Sequence, residues 1–196
     1  QATPYVTNLS DAGFVVTWTS EGQDGNSFGL FGQRYDASGN SIGSEFQVNT
    51  DYTSNTQNQP SVTALSDGGF VVTYQSFDQD GDGSGVFGKH YDASGNATGS
   101  AFQINSTTYS WQEWPSVTSL HEGGFVVTWT SYYQDTETSR GIYGQRFDSN
   151  GQPVASGNAV TGVSTLDFNS LNLVEGDRIT LTISGGSEVK GVIGDN

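Results

Sequence analysis

Apolar and polar residues alternate along most of this chain in short runs, and the runs recur. Positions 13–18 and 124–129 both read Gly-Phe-Val-Val-Thr-Trp, and positions 69–74 read Gly-Phe-Val-Val-Thr-Tyr. The phenylalanines Phe14, Phe70 and Phe125 are therefore 56 and 55 residues apart. A second marker, Gly32-Gln-Arg-Tyr-Asp36, returns as Gly88-Lys-His-Tyr-Asp92 and Gly144-Gln-Arg-Phe-Asp148, at spacings of 56 and 56. A third pairs Glu45-Phe-Gln-Val-Asn49 with Ala101-Phe-Gln-Ile-Asn105. Self-similarity at a fixed period is the signature of a repeat architecture.

Within the second copy the pattern predicts four strands. Ser61–Leu65 alternates, Asp67-Gly-Gly69 turns, and Phe70–Gln75 continues in β-branched and aromatic residues. A Gly/Asp loop over 78–85 leads into Val86–Tyr91; Asp92-Ala-Ser-Gly95 turns again, and Ser100–Asn105 closes the unit. Helical spacing with capping signals appears nowhere. The expectation is an all-β chain of three roughly 56-residue, four-stranded repeats resembling propeller blades, with a C-terminal β segment. The repeats fill residues 1–158, as about 1–57, 58–113 and 114–158, and 159–196 either caps them or begins another domain. In that segment Arg178–Ser184 and Glu188–Ile193 are strand-like and can pair across Gly185-Gly-Ser187. A β-trefoil or β-prism is the alternative architecture. Gln112-Glu-Trp114 spells the Gln-x-Trp pattern of trefoil lectins, but the matching triplet one repeat earlier is Gln57-Asn-Gln59.

Composition narrows the function. Six basic against 21 acidic side chains give a formal charge of −15, too few cations for a nucleic-acid face. No apolar run is long enough to insert into a membrane. The chain has no cysteine and only two histidines, His90 and His121, which removes disulfides, thiolate chemistry and most zinc sites.

The unit Pro-Ser-Val-Thr-x-Leu-x-x-Gly-Gly-Phe-Val-Val-Thr-Trp, followed by Gln-Asp-Gly, Val-Phe-Gly, Tyr-Asp-Ala-Ser-Gly and Phe-Gln-Val-Asn, resembles repeats of very large secreted bacterial proteins. These are the adhesin-like, calcium-binding, hemolysin-type proteins exported by type I secretion. The resemblance covers residues 1 to about 158. It implies a secreted or cell-surface location, further repeats, and possible calcium dependence; the glycine-rich calcium-binding nonapeptides of that group are absent here.

Candidate chemistry concentrates in loops. Asp78, Asp80 and Asp82 alternate with Gln79 and Gly81, a spacing that turns hard oxygen ligands toward one Ca²⁺. Asp24 and Asn26 in the first copy and Asp135 and Glu137 in the third are the thinner equivalents. The competing reading is a solvated acidic loop. Trp111, Trp114, Tyr132 and Tyr133 fall in loops without counterparts in the first copy, placing them as a glycan platform or an inter-repeat plug. Trp18, Tyr74 and Trp129, repeated at one strand position, read as core, and Asp36, Asp92 and Asp148 as turn-makers. No catalytic triad is identifiable. The expectation is thus a non-catalytic structural or adhesive module, stabilised by calcium, that pairs with neighbouring repeats or chains through strand edges. A lectin-like glycan-binding module is the alternative, and a glycosidase- or sialidase-like propeller a more distant one.

Overall fold

The computed structural model describes residues 1–134, 140–154, 178–183 and 187–192. Every regular element among them is a strand. Strands β1 (Ala2–Asn8), β2 (Phe14–Glu21), β3 (Phe28–Tyr35) and β4 (Ser41–Gln47) form one antiparallel meander. Strands β5 (Gln57–Ala64), β6 (Phe70–Phe77), β7 (Ser84–Tyr91) and β8 (Phe102–Gln103) form a second, and β9 (Gln112–Ser119), β10 (Phe125–Tyr132) and β11 (Arg140–Phe147) a third. We call these sheets blades 1, 2 and 3. Strands β12 (Arg178–Ile183) and β13 (Ser187–Val192) pair as a hairpin, with Ile183 opposite Ser187.

Neighbouring blades pack face to face, with the first strands β1, β5 and β9 side by side. Backbone amides of Val117 and Ser119 in β9 donate to Ser61 Oγ and Thr63 Oγ1 of β5, at 3.2 and 3.3 Å. Between blades 1 and 2 lies one apolar cluster, built from Val15, Leu30 and Val48 against Phe70, Val72 and Tyr74. Between blades 2 and 3 lies its repeat, Val71, Val86 and Ile104 against Phe125, Val127 and Trp129. Blade 2 is covered on both faces, so Phe70–Tyr74 is buried at every position and shows no in-out alternation. Each large side chain removed from water there contributes roughly 1.5–3 kcal/mol.

Glycines in the repeated motif permit close approaches. A Cβ on Gly13, Gly69 or Gly124 would lie 2.2–2.4 Å from the carbonyl oxygen of Tyr35, Tyr91 or Phe147. The turn aspartates behave as the repeat predicts: Asp36 Oδ1 accepts from the backbone of Ser38 and Asn40, and Asp92 Oδ1 from Ser94 and Asn96. A hydrogen bond from the Asn40 or Asn96 side chain is the leading reason their carboxyls sit below the ordinary aspartate range.

One irregularity is repeated in the first strand of every blade. Thr3, Gln59 and Trp114 have φ of 46°, 51° and 55°, and the pairing of β1, β5 and β9 shifts register there. Each precedes a proline, Pro4, Pro60 or Pro115, which cannot donate to a ladder. A bulge takes up both demands and re-aims the residue before it.

Candidate functional site

The residues before the bulges, Asn58 and Glu113, face a cleft of about 490 Å³ at one end of the blades. Asn26, Asn55, Gln75 and Trp111 also line it. Glu113 is 8% exposed. Burial pushes its carboxyl above the ordinary range, against the opposing pull of a hydrogen bond from the Tyr132 hydroxyl and of the Arg140 charge. The Arg140 guanidinium lies 4.6 Å over the Tyr132 ring, which fixes both. Among the described residues lining the cleft, Glu113 is the one carboxylate. Asn58 Oδ1 is buried there without a protein partner.

Trp111 is 47% exposed and forms a wall. Its ring lies so close to Gly83 that a Cβ there would come within 2.4 Å of it. Its carbonyl accepts from the Tyr132 amide at 2.9 Å, and its ring meets Tyr132 edge-on at 6.1 Å. The indole face is therefore presented to the cleft on a fixed mount.

The acidic loop serves this architecture. Asp78, Asp80 and Asp82 do not converge: Asp78 Oδ2 accepts from Asn55 Nδ2 at 3.2 Å, Asp80 Oδ2 from Asn105 Nδ2 at 3.0 Å, and Asp82 Oδ2 from the Ser110 amide at 3.0 Å. Asp78 thus holds one cleft residue, and Asp82 the segment leading into Trp111. Among the described residues no three acidic or histidine side chains gather as a metal set. Asp24 repeats the Asp80 arrangement, accepting from Asn49 Nδ2 at 2.9 Å and from the Asn26 amide at 3.2 Å. Asp135 and Glu137 lie outside the described residues.

The four aromatic candidates separate. Trp111 lines the cleft and Tyr132 supports Glu113, whereas Tyr133 is 47% exposed and meets Tyr132 at 6.2 Å. Trp114, on the bulge, belongs to a different cavity of about 320 Å³ that it shares with Tyr5, Gln59 and Trp129. Glu113, Asn58 and Asn55 escaped the sequence reading. A signal existed: in the structural register the position holding Glu113 is Asn58 in blade 2 and Ala2 in blade 1, so the carboxylate breaks the repeat.

No protein-family model matches the chain, and no curated protein does. Solved structures do. The chain is similar to an endo-arabinase from Bacteroides thetaiotaomicron, with 11% identity, a TM-score of 0.58, and coverage of 100% of this chain and 76% of that one. It is also similar to a thermostable family-43 glycoside hydrolase, with 10% identity, a TM-score of 0.50, and coverage of 82% and 59%. A fucose lectin from Kordia zhangzhouensis aligns with a TM-score of 0.44 and 12% identity, over 78% and 97%. The chain thus spans about three quarters of the first structure and less than two thirds of the second. At these identities the likeness is one of fold, the β-propeller. It corrects two expectations, that the chain is a non-catalytic adhesive repeat module stabilised by calcium and that it is no enzyme. The two structures compared above with a TM-score of at least 0.50 are an endo-arabinase and a family-43 glycoside hydrolase, so blade-like repeats give no ground for excluding catalysis.

Proposed function

We propose that the chain is part of a carbohydrate-active β-propeller and that it holds a neutral saccharide in the cleft between Trp111 and Asn26. The observation that carries this reading is the departure from repeat symmetry. Trp111 stands where blade 2 has Thr56, Glu113 stands where blades 1 and 2 have Ala2 and Asn58, and both open on one cleft beside Asn58, whose Oδ1 has no protein partner. A sugar ring offers an apolar face to the exposed indole and hydroxyls to Asn26, Asn55, Asn58 and Gln75. The charge of −15 repels anionic glycans, which favours an uncharged ligand.

Glu113 is the group suited to proton donation, because a buried carboxyl keeps its proton at higher pH than a solvated one. Glycoside hydrolysis employs a second carboxylate about 5–10 Å away. The described lining holds Glu113 as its one carboxylate, so by itself the cleft supplies a binding surface and a proton donor for a glycosidic oxygen, and cleavage of the C–O bond would also need water and a second carboxylate to take its proton. Binding and turnover are therefore separate readouts of one site.

The test is a screen of neutral oligosaccharides for binding by calorimetry and for reducing-end release, in the parent, Glu113→Gln and Trp111→Ala. Trp111→Ala should weaken binding by at least about 30-fold, the scale of a ~2 kcal/mol hot spot. Glu113→Gln should keep binding and abolish any release, whose rate in the parent should fall as pH rises through the raised pKa of Glu113. Absence of saccharide binding by the parent would refute the proposal.

A further inference from the structure

Each blade meets the blade before it through the same apolar positions, and in blade 1 those positions are uncovered. In blade 2 they are Val62, Phe70, Val72, Tyr74 and Tyr91, which are 8%, 0%, 0%, 1% and 4% exposed. Leu9, Val15, Leu30 and Val48 of blade 1 complete that cluster. In blade 3 they include Phe125, Val127, Trp129 and Phe147, all 7% exposed or less, in one cluster with Leu65, Val71, Val86 and Ile104 of blade 2. In blade 1 the equivalents are Val6, Phe14, Val16, Trp18 and Tyr35. Val6 is 64% exposed, and the other four are half-buried.

The uncovered face already has the receiving geometry. Phe14 stacks on Tyr35 at 5.0 Å and 15°, as Phe70 does on Tyr91 at 4.7 Å and 7° and Phe125 on Phe147 at 5.0 Å and 9°. A cleft of about 490 Å³ lies against Val16, Trp18 and Tyr35. We infer that this face is a docking surface for another four-stranded blade of the same repeat design, presenting Leu, Val, Leu or Val, and Val or Ile at the four contact positions. The two internal interfaces specify that quartet, as Leu9, Val15, Leu30 and Val48 and as Leu65, Val71, Val86 and Ile104.

A second copy of this chain does not supply it. Blades 1 and 2 use their quartets internally, and of the three described positions in blade 3 Leu120 and Val126 are 4% and 1% exposed, which leaves only Ile142 half-buried. The charge of −15 adds repulsion between copies. The occupant is a blade whose quartet is free, and the inference stands independently of the cleft reading.

Duplicating residues 1–56 directly ahead of Gln1 in the 196-residue chain provides such a blade in the register that blade 1 has on blade 2, because Gln1 occupies the place of Gln57. With 5-fluorotryptophan labelling and the duplicate's own Trp18 changed to Phe, relaxation of the original Trp18 resonance by dissolved gadolinium should fall about fivefold. Val16→Asp in the original blade should lower the melting temperature little in the 196-residue chain and sharply in the extended one, as Val72→Asp does in both. An unprotected Trp18 in the extended chain, whether or not the added copy folds, would overturn the inference. So would equal damage from Val16→Asp and Val72→Asp in the 196-residue chain. Concentration-dependent dimerisation of that chain, abolished by Val16→Asp, would assign the face to self-association and overturn the stated partner.

Discussion

Asn105 is the side chain whose loss should reveal how the blades are tied together. It is 4% exposed, and its Oδ1 accepts from the Val86 amide at 2.7 Å. Its Nδ2 donates to Asp80 Oδ2 at 3.0 Å, to the Thr107 carbonyl at 2.9 Å and to Gln112 Oε1 at 3.1 Å. One amide thereby joins β7, the acidic loop and the first residue of blade 3. Asn49 repeats the arrangement, accepting from Leu30 at 2.9 Å and donating to Gln57 Oε1 at 2.7 Å. In Asn105→Ala the Val86 amide loses its partner, which costs about 1–3 kcal/mol when the group is buried. Lost bonds to Asp80 and Gln112 add about 1 kcal/mol each, for a total of about 3–5 kcal/mol. At about 2–4 °C per kcal/mol for a domain of this size, the melting temperature should fall by roughly 10 °C. Urea unfolding followed by circular dichroism measures it. Asn105→Asp is the informative companion. It keeps the acceptor for Val86 but sets a second carboxylate against Asp80, whose carboxyl burial already raises, so its deficit should shrink as acid neutralises the pair. A loss under about 1 kcal/mol in Asn105→Ala would refute the clasp.

His90 lies between Phe102 and Phe125 at 5.2 and 5.3 Å with Nε2 unpartnered; burial lowers its pKa, against the opposing pull of Asp67 and Asp148. A histidine whose folded pKa lies below its unfolded value of about 6.5 costs nothing above that pH and destabilises progressively as pH falls toward the folded value; His90→Gln should remove that component of the stability profile in pH-dependent melts. Gly69→Ala would force a Cβ to within 2.2 Å of the Tyr91 carbonyl and should cost several kcal/mol by chemical denaturation, whereas Gly99→Ala, with open space around it, should cost almost nothing. Asp82→Ala removes the acceptor for the Ser110 amide beside Trp111, so it should weaken saccharide affinity more than it lowers the melting temperature, by calorimetry and thermal melts on the same sample.

Much of the scaffold was legible because its determinants are local and repeated. The period, the strand identities and the turn aspartates all rest on residue types whose role is settled within a few positions. Phe-Gln-Val-Asn was visible as a motif, but the task of its last residue was not, since the partners of Asn49 stand at positions 24, 30 and 57. The acidic loop shows the same limit for a related reason. Alternating Asp and Gly residues suit a tight calcium loop, and they equally suit a loop whose carboxylates reach outward to Asn55, Asn105 and Ser110 on three separate segments. Only the fold distinguishes convergent from divergent carboxylates. Trp111 and Trp114 are three residues apart, and the bulge at Trp114 sends them to different cavities, which an unbroken strand pattern does not foretell.

The bulge also explains why chemistry gathers where it does. A propeller built from equal repeats produces equal surfaces, and a site for one asymmetric ligand must come from positions free to differ. Most positions are not free: the core faces are fixed by the neighbouring blade, the glycines by carbonyls a Cβ would strike, and the asparagine clasps by the partners each must reach. The residue before each X-Pro bulge escapes all three constraints. It stays paired with the second strand, as Asn58 is opposite Gln75 and Glu113 opposite Thr130, yet the register shift behind it frees its side chain from the ladder's alternation. Alanine, asparagine and glutamate occupy that place in blades 1, 2 and 3 without disturbing the fold. Exchanging Asn58 and Glu113 should therefore leave the fold intact, with a fall in melting temperature of a few degrees for the carboxylate's lost contacts with Tyr132 and Arg140. Binding, which Glu113→Gln leaves intact, does not decide the matter; if saccharide release by the parent survived the exchange unchanged, the position of the carboxylate would not matter and the proton-donor role of Glu113 would be refuted.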